Sequence, residues 1–255
     1  MTQAQHQLLI VVSAILFIGM IIMNVLANTL PLGGQTTGGV SDRYPNLFQP
    51  SGMTFSIWGI IYLLLGAFVV VQMFSLGQPF EHRQDAMGFV LLFFGLSSIF
   101  NVAWLFAWHH HKILLSTLLI IMLLVVLLFA THYSQSLGLL TKASFSIYAG
   151  WVTVATIANI TILLVSYGLP SFSSLAIVLT IIILIVGACI GGWYAYQTNN
   201  MFYVGVLIWA YLGILMRHLN QESLSVSYPA IILSTSILLV GFIALEIILF
   251  FRSLH

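Results

Sequence analysis

The chain has 255 residues, of which 61% are hydrophobic and only 4% charged, with a formal net charge of +1. Soluble domains carry about 25% charged residues because their surfaces face water, so most of this chain's surface must face lipid. The near-neutral balance excludes a nucleic-acid partner, which needs clustered Lys and Arg. The single cysteine, Cys189, excludes an intrachain disulfide framework and reads as a small packing residue.

A helix crosses the ~30 Å hydrocarbon core in about 20 residues, and a spanning backbone must satisfy its own hydrogen bonds. Counting apolar runs of that length therefore counts helices. Eight runs are present, at 8–30, 53–75, 87–108, 113–134, 144–167, 172–195, 201–217 and 229–251. The expected fold class is all-α, a polytopic transmembrane helix bundle of about eight spans.

MTQAQHQ lacks the Lys or Arg of a signal-peptide n-region, and the run after it exceeds the usual ~7–15 residues of an h-region. The first run is thus expected to be a retained membrane helix. Next comes PLGGQTTGGVSDRYPNLFQPSG, residues 31–52. Its length exceeds that of a simple linker, and such loops are often binding elements. Two readings stay open, an ordered surface loop and a cap over a pocket between helices. Its glycines do not form a phosphate loop, since no Gly-Lys-Ser/Thr follows.

In the second run Trp58, Tyr62 and Gly66 fall at i, i+4 and i+8. In the third, Asn101, Trp104 and Trp108 fall at i, i+3 and i+7, and in the fifth Tyr148, Trp151, Ala155 and Asn159 fall at i, i+3, i+7 and i+11. Each set shares one helix face. Trp104 and Trp108 suit an aromatic belt at the membrane interface. Trp58, Asn101 and Asn159 lie deeper, where Asn either bonds between helices, for about 0.6 kcal/mol on average, or meets a ligand. His109, His110 and His111 are consecutive, so they point about 100° apart and cannot converge on one metal; with Lys112 they read as a polar helix cap.

The sixth run holds Gly187 and Gly191, and the seventh holds Trp209 between Gly205 and Gly213. These are packing faces, serving either the bundle or a second subunit in a homodimer. The division of these two runs at QTNN, residues 197–200, is the least marked boundary. Glu246, in the eighth run, is the only acid well inside a span. Intramembrane carboxylates often carry protons, but Glu246 is also close enough to the run's end to reach the interface or Arg252, and that reading is favoured. Positive charges divide three to three across the membrane, so no orientation follows.

W-x3-Y-x3-G (Trp58, Tyr62, Gly66), N-x2-W-x3-aromatic (Asn101, Trp104, Trp108) and Y-x2-W-x3-A-x3-N (Tyr148, Trp151, Ala155, Asn159) occur in register. Together they resemble the tryptophan-rich sensory protein family (TspO/MBR, translocator protein). Pro50 looks like the second proline of that family's Pro-Pro lead-in to helix two. The resemblance implies a five-helix membrane bundle over residues 1–167, with a pocket under the first loop for porphyrins, sterols or benzodiazepine-type ligands. It assigns Trp58, Tyr62, Asn101, Trp104, Trp151, Ala155 and Asn159 to ligand binding, and Tyr44 and Pro50 to the lid loop. The family's Lys-Pro-x-Trp is absent, with Asn46, Leu47 and Gln49 in those places. Residues 168–255 form a C-terminal extension of about three helices that the core family lacks.

The expected function is binding, sensing or carrying a hydrophobic small molecule such as a porphyrin or other tetrapyrrole. No cofactor is required, and a haem-like molecule would be the ligand. The alternatives are a permease subunit or proton-coupled transporter, with Glu246 as the coupling acid, or a non-catalytic scaffold. Likeness between SIWGIIYLLLG and LIWAYLGIL hints at a repeat. No nucleophile–base pair is recognisable, which argues against an enzyme. The partners expected are the bilayer and the ligand. The membrane expected is a bacterial plasma membrane, since no Arg-rich amphipathic transit peptide is present.

Overall fold

In the computed structural model, which describes residues 1–30, 34–78, 85–220, 224 and 226–254, all eight apolar runs are helical. The elements are α1 (Gln3–Thr29), α2 (Thr37–Asp42), a 3-10 helix (Gly52–Ser56), α3 (Ile57–Phe74), α4 (Asp85–His109), α5 (Ile113–Ser134), α6 (Leu139–Ser166), α7 (Ser174–Thr198), α8 (Met201–Leu219) and α9 (Pro229–Ser253). Among the described residues eight helices are long and apolar enough to cross a membrane, α3 doing so together with the 3-10 turn before it. Residues 31–33 of the first loop, the charges Glu81 and Arg83, and Glu222 lie outside the described residues.

Local chemistry sets the helix ends. Thr2 and Gln5 make a reciprocal capping box on α1. Ser173 accepts from the Ala176 amide at the start of α7, and Pro229 opens α9, where its missing N–H costs nothing. The histidine run stops α4: His111 takes φ 53°, and the Lys112 amide reaches back to the Ala107 carbonyl at 2.9 Å. Of QTNN, Gln197 and Thr198 end α7 and the other two residues make the turn, in which Asn199 adopts the left-handed conformation (φ 47°, ψ 50°) and Asn200 caps α8 through its side chain. Asparagine enters the left-handed region more readily than most residues, and the Asn200 side-chain oxygen accepts from the Tyr203 amide.

The described chain packs as two compact units. The first comprises residues 1–40 and 58–149. Here α1 packs on α4 and α4 on α5. Phe68, Phe94 and Phe145 meet edge to face, with centroids 5.2–5.7 Å apart, and Phe17 joins them at 5.6 Å from Phe94. Such aromatic pairs contribute roughly 0.5–1.5 kcal/mol each beyond area. Phe89 stacks on Tyr133 and Phe93 on Phe129 along the α4–α5 seam.

The second unit comprises residues 41–57 and 150–255. Its helices approach closely where glycines remove side chains. A Cβ on Gly150 would lie 3.0 Å from Val206, one on Gly187 3.0 Å from Ile157, and one on Gly191 2.9 Å from Leu207. The Gly187/Gly191 pair is thus occupied by packing within the unit, as small-residue spacing allows in lipid. Tyr211 donates to the Leu184 carbonyl at 2.7 Å and meets Phe242 edge-on.

Candidate functional site

Three helices of the first unit bring polar side chains to one place. Asn24 of α1 donates its amide to Asn101 Oδ1 at 2.8 Å, and to the Met20 carbonyl. Asn101 of α4 donates in turn to the Tyr148 hydroxyl of α6 at 3.0 Å, and that hydroxyl points to Met20 sulfur at 3.9 Å. Asn101 and Tyr148 are fully buried (0% exposed each). In front of this relay stands an aromatic group. Trp58 stacks on Tyr62, at 5.4 Å with rings 23° apart, and meets Tyr148 edge-on at 6.0 Å. Trp58 and Tyr62 are half-buried, unlike the polar groups behind them. The structure therefore joins Trp58, Tyr62, Asn101 and Tyr148 into one cluster.

Asn24 is the member that the aromatic motifs do not mark. Its signal was a lone amide deep within MIIMNVLA, an apolar context that demands a partner as much as Asn101 does.

Trp104 and Trp108 follow Asn101 along α4. They stack on each other at 5.9 Å and are only 7% and 4% exposed, so they are interior residues and not a lipid-facing belt. The reason is hydrogen bonding. Trp108 donates its indole N–H to the Thr37 carbonyl at 3.0 Å, and the buried His109 ring shares a hydrogen bond with the Thr37 hydroxyl at 3.1 Å. The end of α4 thereby fixes the start of α2.

Trp151, Ala155 and Asn159 lie in the second unit. Trp151 is buried edge-on against Phe55, Asn159 is buried, and Ala155 is half-buried. In that unit the rest of the first loop is held by α8. Arg217 Nη1 donates to the carbonyls of Asn46 (2.9 Å) and Gln49 (2.8 Å), and His218 Nε2 donates to that of Leu47 (2.9 Å). The Ser51 amide donates to the Gly213 carbonyl, and the Trp209 indole to the Thr54 carbonyl. Trp209, Gly213 and Arg217 recur every four residues, so one face of α8 carries all of these ties except that of His218.

Within the loop, Asn46 Oδ1 accepts from the Phe48 and Gln49 amides, and Gln49 donates to Asp42. Tyr44 is half-buried and Pro50 buried. Beneath Asn46 and Leu47 lies a cavity of about 20 Å³, lined by Thr161, Leu164 and Thr180 among others. That space holds about one water. A larger groove of about 540 Å³ lies between the starts of α7 and α9, lined by residues such as Phe172, Ile177 and Tyr228. None of the expected ligand-binding residues lines either of these two spaces.

Glu246 is half-buried on α9. Arg252 does not reach it, because the guanidinium donates to the Tyr196 carbonyl at 3.0 Å and lies 4.6 Å over the Tyr196 ring. Among the described residues no group of three or more His, Cys, Asp or Glu is arranged to hold a metal ion.

Against known proteins, the chain matches the family model described as TSPO-like protein over residues 10–244, a stretch that includes the three C-terminal spans as well as the first five. It matches none of the curated proteins and none of the solved structures with which it was compared. A match over nearly the whole chain, on a bundle of eight candidate membrane helices, places this protein in the TSPO-like family.

Proposed function

We propose that this integral membrane protein binds a planar hydrophobic molecule, such as a porphyrin or other tetrapyrrole, and senses or carries it in a bacterial plasma membrane. The reading is supported most directly by the half-buried Trp58–Tyr62 stack, set edge-on against Tyr148. Two stacked rings already held by their neighbours offer a planar ligand a stacking surface, worth roughly 0.5–1.5 kcal/mol per aromatic pair. Asn101 acts behind this surface by holding the Tyr148 hydroxyl. It is a positioning residue, not a direct contact.

The test is titration of purified protein in nanodiscs with protoporphyrin, followed by tryptophan quenching. Saturable quenching is expected, with affinity weakened about tenfold in Trp58→Ala, equivalent to about 1.4 kcal/mol. No saturation, or unchanged affinity in a folded Trp58→Ala protein, overturns the reading.

A scaffold function is the second reading. It is favoured by the closure of Asn24, Asn101 and Tyr148 on one another, which is what helix packing alone requires. Under it, Asn101→Ala lowers stability while no porphyrin binds to either protein.

A further inference from the structure

Glu246 carries chemistry that a stacking site does not use. It sits seven residues before the end of α9 at Ser253, about 10 Å along the helix. Its Oε2 atom is buried and has no hydrogen-bond partner. Among the described residues it makes no ion pair, and the one cation on α9, Arg252, is committed to Tyr196.

Among the described residues the surroundings offer no substitute. α7 and α8 pack against α9. The titratable side chains of α7 are Cys189, Tyr194 and Tyr196; those of α8 are Tyr203, Tyr211, Arg217 and His218. Arg217 and His218 are bonded to loop carbonyls at the far end, where the His218 ring meets Tyr228. Tyr228 precedes Glu246 by eighteen residues, about 27 Å along a helix. At the level of Glu246, Gly192 of α7 faces Phe242 and Leu245 of α9. This same end of α7 holds two more buried polar atoms without partners, the Tyr194 hydroxyl and Asn199 Oδ1.

An ionised carboxylate so placed would leave its buried Oε2 uncompensated. Binding a proton removes the charge. We propose that Glu246 is a proton-binding site within the membrane, carrying its proton at neutral pH, and is therefore a modification site for hydrophobic carbodiimides arriving from lipid. The neighbouring Ile243, Ile247 and Phe250 are exposed on α9, which leaves an apolar approach.

In that reaction the carboxyl O–H protonates one carbodiimide nitrogen, and the carboxylate oxygen then bonds to the central carbon. A shift of the acyl group from oxygen to nitrogen leaves a stable N-acylurea. The adduct keeps every atom of both reactants, and nothing is oxidised or reduced.

The experiment treats the full chain in liposomes at pH 7 with dicyclohexylcarbodiimide and maps adducts by peptide mass spectrometry. A parallel sample receives a water-soluble carbodiimide with glycine ethyl ester. Glu246 faces lipid, where the hydrophobic reagent concentrates, and already holds the proton the reaction needs, so this reagent should label it on the order of 10²-fold faster than the exposed Asp42 or Asp85. The water-soluble reagent should show the reverse order, since Asp42 and Asp85 are exposed. Glu246→Gln should abolish the adduct and also the protonated-carboxyl C=O stretch in infrared spectra at pH 7. Failure of the hydrophobic reagent to label Glu246, or equal labelling of all three acids by the aqueous one, overturns the proposal. Should Glu246→Gln fail to fold, the wild-type infrared band decides: its presence at pH 7 supports the proposal, and its absence ends it.

Discussion

Asn24 and Asn101 join through one side-chain hydrogen bond of 2.8 Å, seventy-seven residues apart in sequence. Since Asn101 also holds Tyr148, its amide ties α1, α4 and α6 together. Interhelical hydrogen bonds in membrane proteins average about 0.6 kcal/mol and reach about 1.7. Asn101→Ala, which removes two of them, should therefore destabilise by about 1–2 kcal/mol in reversible unfolding in mixed micelles. The Asn24→Ala/Asn101→Ala double variant should lose less than the sum of the single losses. Strict additivity would show that the bond contributes nothing.

Arg217 offers a second test, because two loop carbonyls depend on one nitrogen. Hydrogen bonds to charged groups are worth roughly 1.5–3 kcal/mol each, less where partly exposed. A net loss near 1.4 kcal/mol raises an open population about tenfold. Limited proteolysis within residues 41–57 should accelerate by about that factor in Arg217→Ala, and by less in His218→Ala, which removes one bond. Unchanged cleavage would mean that the loop is held by other contacts.

Gly213 tests how closely the loop lies on α8. A Cβ there would fall 2.7 Å from Thr54 Cγ2 and 2.8 Å from its Cβ. Thr54 is buried, β-branched and bonded to Ser51, so it has little freedom to move. Gly213→Ala should destabilise by about 1–3 kcal/mol through overpacking. Gly205→Ala on the same helix meets nothing within 4 Å and should be neutral or stabilising by up to about 1 kcal/mol. The comparison is read from paired thermal melts in detergent.

The α7–α8 turn gives a fourth. Asn199 is left-handed, so Asn199→Gly should be tolerated, whereas Asn199→Val should cost about 1–2 kcal/mol. Asn200→Ala removes the cap on the Tyr203 amide, with an expected loss of about 0.5–2 kcal/mol. Equal melting temperatures for the Gly and Val variants would contradict the turn.

The helices were legible because apolar length is a local property: the fourth run, 113–134, coincides with α5, and 229–251 falls short of α9 by two residues. The one-face placement of Asn101 and of Tyr148 was equally readable, since spacing fixes it. Their partner was not. A side chain's need for a hydrogen bond shows in sequence, but the group that meets it does not. Arg217 illustrates this best: it looks like a charge marking a helix end, and its acceptors are backbone carbonyls, which every residue has. Trp108 misleads for the same reason, since an indole near a helix end suits lipid headgroups and the Thr37 carbonyl equally well.

The five ties between residues 46–54 and α8 give this stretch of loop the mechanics of a connecting rod. Its anchors span more than two turns of one rigid helix, so it has no independent hinge there. A one-turn slide of α8 would draw the segment along by about 5.4 Å. Anything that grips the segment in turn exerts its force on α8.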